Sequence, residues 1–201
     1  MAFIIGVVSQ KGGVGKSTIA RLIAREMAAQ EWQVKIADLD VSQATTYDWR
    51  SRRLDQALKI AAHYDLLVLD GAPHATQATK QIADASDLVI IPTGLALDDL
   101  RPGVRLAHDF VKARIAPQKI VFALCRVGHS QRETAEARDY LATAGYTVLA
   151  GALPEQTAYR QASDEGRAPT ETRFASLNKH AETLAQSIVD TMAALSKQET
   201  A

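Results

Sequence analysis

The segment Gln10-Lys11-Gly12-Gly13-Val14-Gly15-Lys16-Ser17-Thr18 decides how the rest of this chain is read. Before it lies Ala2 to Ser9, a short apolar run rich in β-branched residues, which predicts a strand covered on both faces. After it, Ser17 to Gln30 carries Ile19, Leu22, Ile23 and Met27 at the spacing of an amphipathic helix. Strand, glycine-rich loop and helix together form a context in which consecutive backbone N–H groups turn toward one anion. Gly12, Gly13 and Gly15 permit the required backbone, and the helix start adds its positive dipole end. The segment fits the pattern Gly-x4-Gly-Lys-Ser/Thr, except that Gln10 stands where its first glycine would be. The expected ligand is a nucleoside triphosphate. Its phosphates lie along Gly12 to Thr18, Lys16 reaches the β- and γ-phosphates, and the Ser17 hydroxyl binds Mg²⁺.

Two acidic strand ends belong to the same reading. Val34 to Ala37 predicts a strand ending at Asp38, followed by Leu39 and Asp40; Leu66 to Leu69 predicts another ending at Asp70-Gly71. In an open α/β sheet, ligands bind beyond the carboxyl ends of the strands, so these carboxylates face the glycine-rich loop. Asp70 is the candidate Mg²⁺ ligand, held directly or through water, and Gly71 lets its backbone N–H approach the γ-phosphate.

Further strands are predicted at Leu88–Ile91, Ile120–Leu124 and Thr147–Leu149. Helices are predicted at Ala75–Ala85, Leu100–Arg114, Ser130–Ala144 and Ala175–Leu195, with Gly145 at a helix C-cap. Val41 to Tyr64 admits several assignments. The alternation predicts an α/β fold: a P-loop NTPase with a mostly parallel central sheet and helices on both faces. All 201 residues read as one domain, with a frayed tail at 197–201.

Lys plus Arg and Asp plus Glu both number 23, so bulk charge gives no pull toward nucleic acid or anionic membrane. The single cysteine, Cys125, excludes an intrachain disulfide and reads as a small core residue. The absence of a long apolar run predicts a soluble, cytoplasmic protein.

Lys-Gly-Gly-Val-Gly-Lys-Ser-Thr, with its early Lys11, resembles the deviant Walker A motif of the ParA/MinD family of ATPases. Ala85 to Pro92, Leu97-Asp98, and Pro154 through Tyr159 with Ala162, Gly166 and Pro169 are similar to later family segments. The last of these corresponds to a dimer and nucleotide-base segment. The resemblance implies ATP hydrolysis, weak alone and stimulated by a partner, in an ATP-dependent sandwich homodimer. Lys11 would reach the partner's nucleotide, and Asp40 would orient the attacking water and contribute to the metal site. Family members have Asp-x-Asp-Pro-Gln where this chain has Asp38-Leu39-Asp40-Val41-Ser42-Gln43, which removes support for a switch role of Gln43. After the fifth strand many relatives place Asn. Here Cys125-Arg126 stands, and Arg126 is either an adenine-stacking cation or a surface arginine.

The chain resembles the small ParA subgroup, which implies plasmid partition, nucleoid association, nonspecific duplex DNA binding and a small centromere-binding (ParB/ParG-like) partner. Arg101 to Tyr140 holds eight Lys/Arg against four Asp/Glu, and Trp49 to Arg53 is the densest basic cluster; neither names DNA contacts. His180 to Lys197 is a poor lipid anchor, so no membrane role is expected. The alternatives are positioning of another cargo and a biosynthetic enzyme resembling dethiobiotin synthetase. An electron-transfer ATPase resembling nitrogenase iron protein would need two cysteines per subunit.

Overall fold

The computed structural model describes residues 2–39, 47–73 and 77–199. Its strands are β1 (Phe3–Ser9), β2 (Val34–Asp38), β3 (Leu66–Pro73), β4 (Leu88–Thr93), β5 (Ile120–Val127), β6 (Thr147–Val148) and β7 (Leu153–Pro154). The helices are α1 (Lys16–Ala29), α2 (Tyr47–Ile60), α3 (Gln77–Ala85), α4 (Leu97–Lys112), α5 (Gln131–Thr143), α6 (Thr157–Asp164) and α7 (Ala175–Glu199). The sheet runs β2-β3-β1-β4-β5-β6, with β7 also on β5, and every strand pairing among the described residues is parallel.

Two cores follow from the period of two along each strand. Leu67, Leu69, Val89, Ile91, Phe122 and Leu124 face α2, α3, α4 and α5. Their neighbours Leu66, Val68, Leu88, Ile90, Val121 and Ala123 face α1, α6 and α7. Strands buried on both sides cannot alternate with polar residues, which is why they read as continuous apolar runs.

The predicted elements are present, with shifted ends. The stretch with several possible assignments contains α2. Helix α4 begins at Leu97 rather than Leu100; Asp98 and Asp99 occupy its first turn, where carboxylates complement the helix dipole. Pro102 lies inside this helix, where it leaves one backbone carbonyl without its helical donor. Helix α5 starts after Ser130, whose Oγ accepts from the Glu133 N–H at 3.2 Å. It ends at Thr143 with Ala144 as its C-cap, one residue before the predicted Gly145, whose left-handed backbone follows and whose N–H donates to the Ala142 carbonyl at 2.9 Å. Helix α7 continues through Glu199, into the stretch read as a frayed tail. The short β7 and α6 carry too few residues for a periodic signal. No helix among the described residues is long and apolar enough to cross a membrane.

Strand β1 lies between β3 and β4, and the sheet grows outward from it in both directions. The reversal of strand order puts the crevice beyond the end of β1, where the glycine-rich loop begins. Close packing fixes this strand against α3: a Cβ on Gly6 would stand 2.6 Å from Ser86 Oγ and 2.9 Å from Ile82 Cγ2. Gly6→Val is expected to lower unfolding free energy by about 1–3 kcal/mol, measured by urea denaturation.

Candidate functional site

Residues 10–18 join β1 to α1, and the glycines adopt the conformations their positions require. Gly13 has φ 73° and Gly15 has φ 108°, both in the left-handed region that a Cβ disfavours. Gly15 is also the N-cap of α1, so the loop's N–H groups and the helix dipole meet at one place. A Cβ on Gly15 would lie 3.2 Å from Cys125 Sγ, so the tip of β5 supports the loop from beneath. Lys16 is buried, and its Nζ reaches the Lys11 carbonyl at 3.4 Å, curled over the loop. Ser17 is exposed and Thr18 half-buried at the start of α1.

The carboxyl ends of β2 and β3 stand side by side: Asp38 pairs in register with Asp70, and Asp70 pairs with Val7 of β1. Asp70 is buried within β3, which runs on to Pro73 rather than ending at Asp70 as the sequence predicts, and Asp38 is exposed. Gly71 lies close under β1, where a Cβ would meet the Val7 carbonyl oxygen at 3.0 Å, so packing favours a glycine there. Asp40 and Gln43 lie outside the described residues. The Ser17 hydroxyl and the Asp70 carboxylate are hard oxygen donors, the type Mg²⁺ takes alongside phosphate oxygens, so the residues present fit that ion.

Lys11 and Arg126 are both engaged within the chain. Lys11 forms an ion pair with Asp99 of α4, a contact spanning 88 residues of sequence that no local pattern announces. Arg126 sits at an irregularity in the β5–β7 pairing, where Cys125 opposes Leu153 and Val127 opposes Pro154. Its φ of 56° is left-handed, uncommon for a residue with a Cβ. Such bulges re-aim a side chain. Arg126 thereby leaves the core-facing alternation of β5 and reaches Glu155 Oε2 at 2.5 Å and the Gly13 carbonyl at 3.4 Å. Glu155 also accepts from Arg160 at 2.7 Å. The bond from Arg126, then its charge and those of Arg160, hold the Glu155 carboxyl below its ordinary range.

Two cavities flank the loop, and Arg126 and Glu155 line both. One, about 390 Å³, runs past Gly13, Gly15, Thr18 and Cys125 to Gln156 and Tyr159. The other, about 510 Å³, opens over Lys11, Gly12, Val14, Asp99 and Glu133. The first has the size of a small-ligand pocket. Its far wall is tied to α1 by Arg21 on Ser163, and the segment that follows by Arg25 on Glu171 at 2.7 Å and Thr170 on Glu26 at 2.6 Å. The sequence singles out Pro154 through Tyr159, but the Arg126–Glu155–Arg160 clamp is visible only in three dimensions.

A sheet with this strand order, a glycine-rich loop after the central strand and acidic neighbouring strand ends defines a nucleotide-binding α/β protein. The chain belongs to the CobQ/CobB/MinD/ParA nucleotide-binding domain family, whose model matches residues 5–170. It is 27% identical over 180 residues to the maintenance of carboxysome distribution protein A of Gloeobacter kilaueensis, covering 81% of this chain and 82% of that one. The protein of the same description from Halothiobacillus neapolitanus is 28% identical over 186 residues, covering 82% and 85%. The septum site-determining protein MinD of Pyrococcus horikoshii, solved with Mg-ADP, superposes with a TM-score of 0.74 at 19% identity. That match covers 94% of this chain and 96% of the other.

Cys125 is fully enclosed beneath the loop, and burial pushes its thiol from an ordinary 9.0 up to about 12. The thiol stays protonated at neutral pH, which removes it as a nucleophile. Between pH 9 and 12 the folded chain holds a proton that the unfolded chain releases, so stability falls as pH rises through that window. Wild type is expected to lose about 1 kcal/mol per pH unit more than Cys125→Ala above pH 9, read from urea melts at pH 8, 9 and 10.

Proposed function

We propose that this chain is an Mg-ATP-dependent positioning ATPase of ParA type, working as a nucleotide-bridged homodimer that distributes a cargo along nonspecific DNA. The observation that carries the reading is the loop with two lysines, one buried in it and one exposed beside it, at the carboxyl edge of the sheet.

In this reading the 390 Å³ cavity takes the nucleoside, with Arg126 against the base, and Gly12 to Thr18 cradle the phosphates. Lys16 exchanges its loop carbonyl for the β- and γ-phosphates. Ser17 and Asp70, with Asp40 as a further carboxylate, would hold Mg²⁺, and the ion would supply charge neutralisation to the phosphoryl oxygens when bound. Asp40 orients the attacking water. Lys11 leaves Asp99 and crosses to the second subunit, adding a cation where negative charge builds.

The surface around Lys11 supports a second copy as occupant. Leu97, at the start of α4 beside Asp99, is 48% exposed, and Leu95 and Ala96 line the adjoining cavity. An exposed apolar residue at the edge of a charged cavity suits a dimer face. Both curated relatives that align over most of the chain are described as carboxysome-distribution proteins, so a large assembly comes before plasmid DNA as the cargo. A cargo-bound adaptor protein, ParB/ParG-like if the cargo is a plasmid, would stimulate hydrolysis.

Lys16→Ala is expected to lower ATP hydrolysis at least about 100-fold, measured as phosphate release. Normal turnover in that variant would sink the site assignment. Gel-shift assays on random-sequence duplex should show binding in Mg-ATP and none in Mg-ADP. If the ATP dimer forms but ignores DNA, the DNA track is wrong. Unchanged plasmid retention in cells lacking the protein would favour the assembly as cargo.

The Lys11–Asp99 pair competes with the dimer. Asp99→Asn is expected to tighten ATP-dependent dimerisation by up to about fivefold, the value of one exposed ion pair, measured by sedimentation. Unchanged dimerisation would show that Lys11 pays nothing to leave Asp99.

A further inference from the structure

The outward ridge of α4 carries Arg101, Arg105, His108 and Lys112, spaced four, three and four residues apart, and each of them is exposed. The other side of the helix is core, with Leu100, Val104, Leu106, Ala107 and Phe110 buried. A solvated helix face gains support by setting opposite charges three or four residues apart. Arg101 and Arg105 instead place like charges at that distance, which costs helix stability. A local rule is broken here, and such breaks concentrate at functional sites.

The basic residues between 101 and 140 fall into two sets. Arg126 holds Glu155, Arg132 holds Glu136 at 2.7 Å, and Arg138 donates to the Leu149 carbonyl at 2.9 Å. Lys119 has a partner as well. Arg101, Arg105 and Arg114 make no ion pair or hydrogen bond among the described residues, and Lys112 comes only within 3.7 Å of Asp109. The nearby carboxylates do not neutralise the ridge. Asp99 is taken by Lys11 and Glu136 by Arg132, while Asp98, one turn before Arg101, makes no ion pair with it. On the side of α1, α6 and α7, Arg21, Arg25, Arg160 and Arg167 are all hydrogen-bonded, and Arg173 lies over the Phe174 ring. The unengaged arginines, Arg52 of α2 among them, therefore gather on or after helices of the opposite layer.

We propose that the α4 ridge is the surface that binds duplex DNA, with Arg101, Arg105 and Lys112 on backbone phosphates. The inference rests on the DNA reading above and names the surface that serves it. From Arg101 to Lys112 the helix rises about 16 Å, a length over which one DNA strand presents about five phosphates. Cations on phosphates carry no sequence information, which suits a track that must be the same everywhere. A lipid surface fits less well, because the apolar side of α4 is spent on the core and cannot enter a membrane. Three cations bind weakly in one copy, and a dimer doubles them. Asp99, in the first turn of α4, holds the Lys11 that crosses to the second subunit in that reading, so each ridge begins beside the joint.

The test is fluorescence-anisotropy titration of a random-sequence duplex with the full chain in Mg-ATP, repeated from about 50 to about 200 mM salt. The logarithm of affinity against that of salt is expected to slope at about −5 for wild type, six contacts at about 0.9 each. The double variant Arg101→Ala with Arg105→Ala should flatten the slope to about −2. The matching pair of Arg→Lys changes should keep it, since lysine still meets a phosphate as a point charge. Lys179→Ala, on α7, should leave it unchanged. Lys112→Ala, at the far end of α4 from the joint, should flatten it by about 2 even if the double variant fails to dimerise. An unchanged slope in both alanine variants would overturn the proposal and leave the DNA reading standing. Binding of poly-glutamate by wild type as tightly as duplex at equal salt would also overturn it, because the ridge would then serve an acidic protein. If the wild-type dimer forms and binds no DNA, the ridge and the DNA reading fall together.

Discussion

Strand β1 has a hydrogen-bonded neighbour on each side and a helix layer on each face. Its backbone polar groups are satisfied only if β3 and β4 both hold register, so the sheet is built around it. That constraint also makes the site. A chain leaving the centre of a parallel sheet must turn at once into a helix on one face, and the turn lies among the other strand ends. Gly13 and Gly15 make the turn, Cys125 supports it from β5, and Asp70 arrives from β3 in register with Val7. Phosphate-binding geometry and core packing are thus one arrangement.

Several cations around the loop stand against anions. Lys11 pairs with Asp99, Arg126 and Arg160 share Glu155, and Arg25 takes Glu171. These are partly exposed pairs of small individual worth, so they orient side chains rather than stabilise the fold. Cations held this way can be drawn to a phosphate at little cost. The fold's stability lies in the two apolar layers, and the polar rim is left adjustable for function.

Arg126 shows where local conformation departs from regular structure. Continued alternation along β5 would turn its side chain toward the helix layer of α4 and α5, where an unpaired guanidinium is costly. The left-handed backbone and the irregular pairing with β7 deliver it to the loop instead. Residues held in that region cost about 1–3 kcal/mol, an expense the surrounding sheet can carry because Cys125 and Leu124 anchor the strand on opposite faces.

The glycine-rich loop, the strand–helix alternation, the parallel sheet and the acidic strand ends are legible in the order of residues. Each depends on residues close in the chain and on periods of two and 3.6, which are local properties. The sequence also marked Lys16, Ser17 and Asp70 by motif and position, and Lys11 and the segment around Pro154 by resemblance. That Lys11 rests on Asp99, that Arg126 turns out to Glu155, and that Gln156 lines the cavity emerge only in the folded chain. Those partners lie 88 and 29 residues apart in the first two cases. Long-range pairing of exposed charges leaves no periodic trace, because a surface lysine reads the same whether its partner is water or a distant carboxylate.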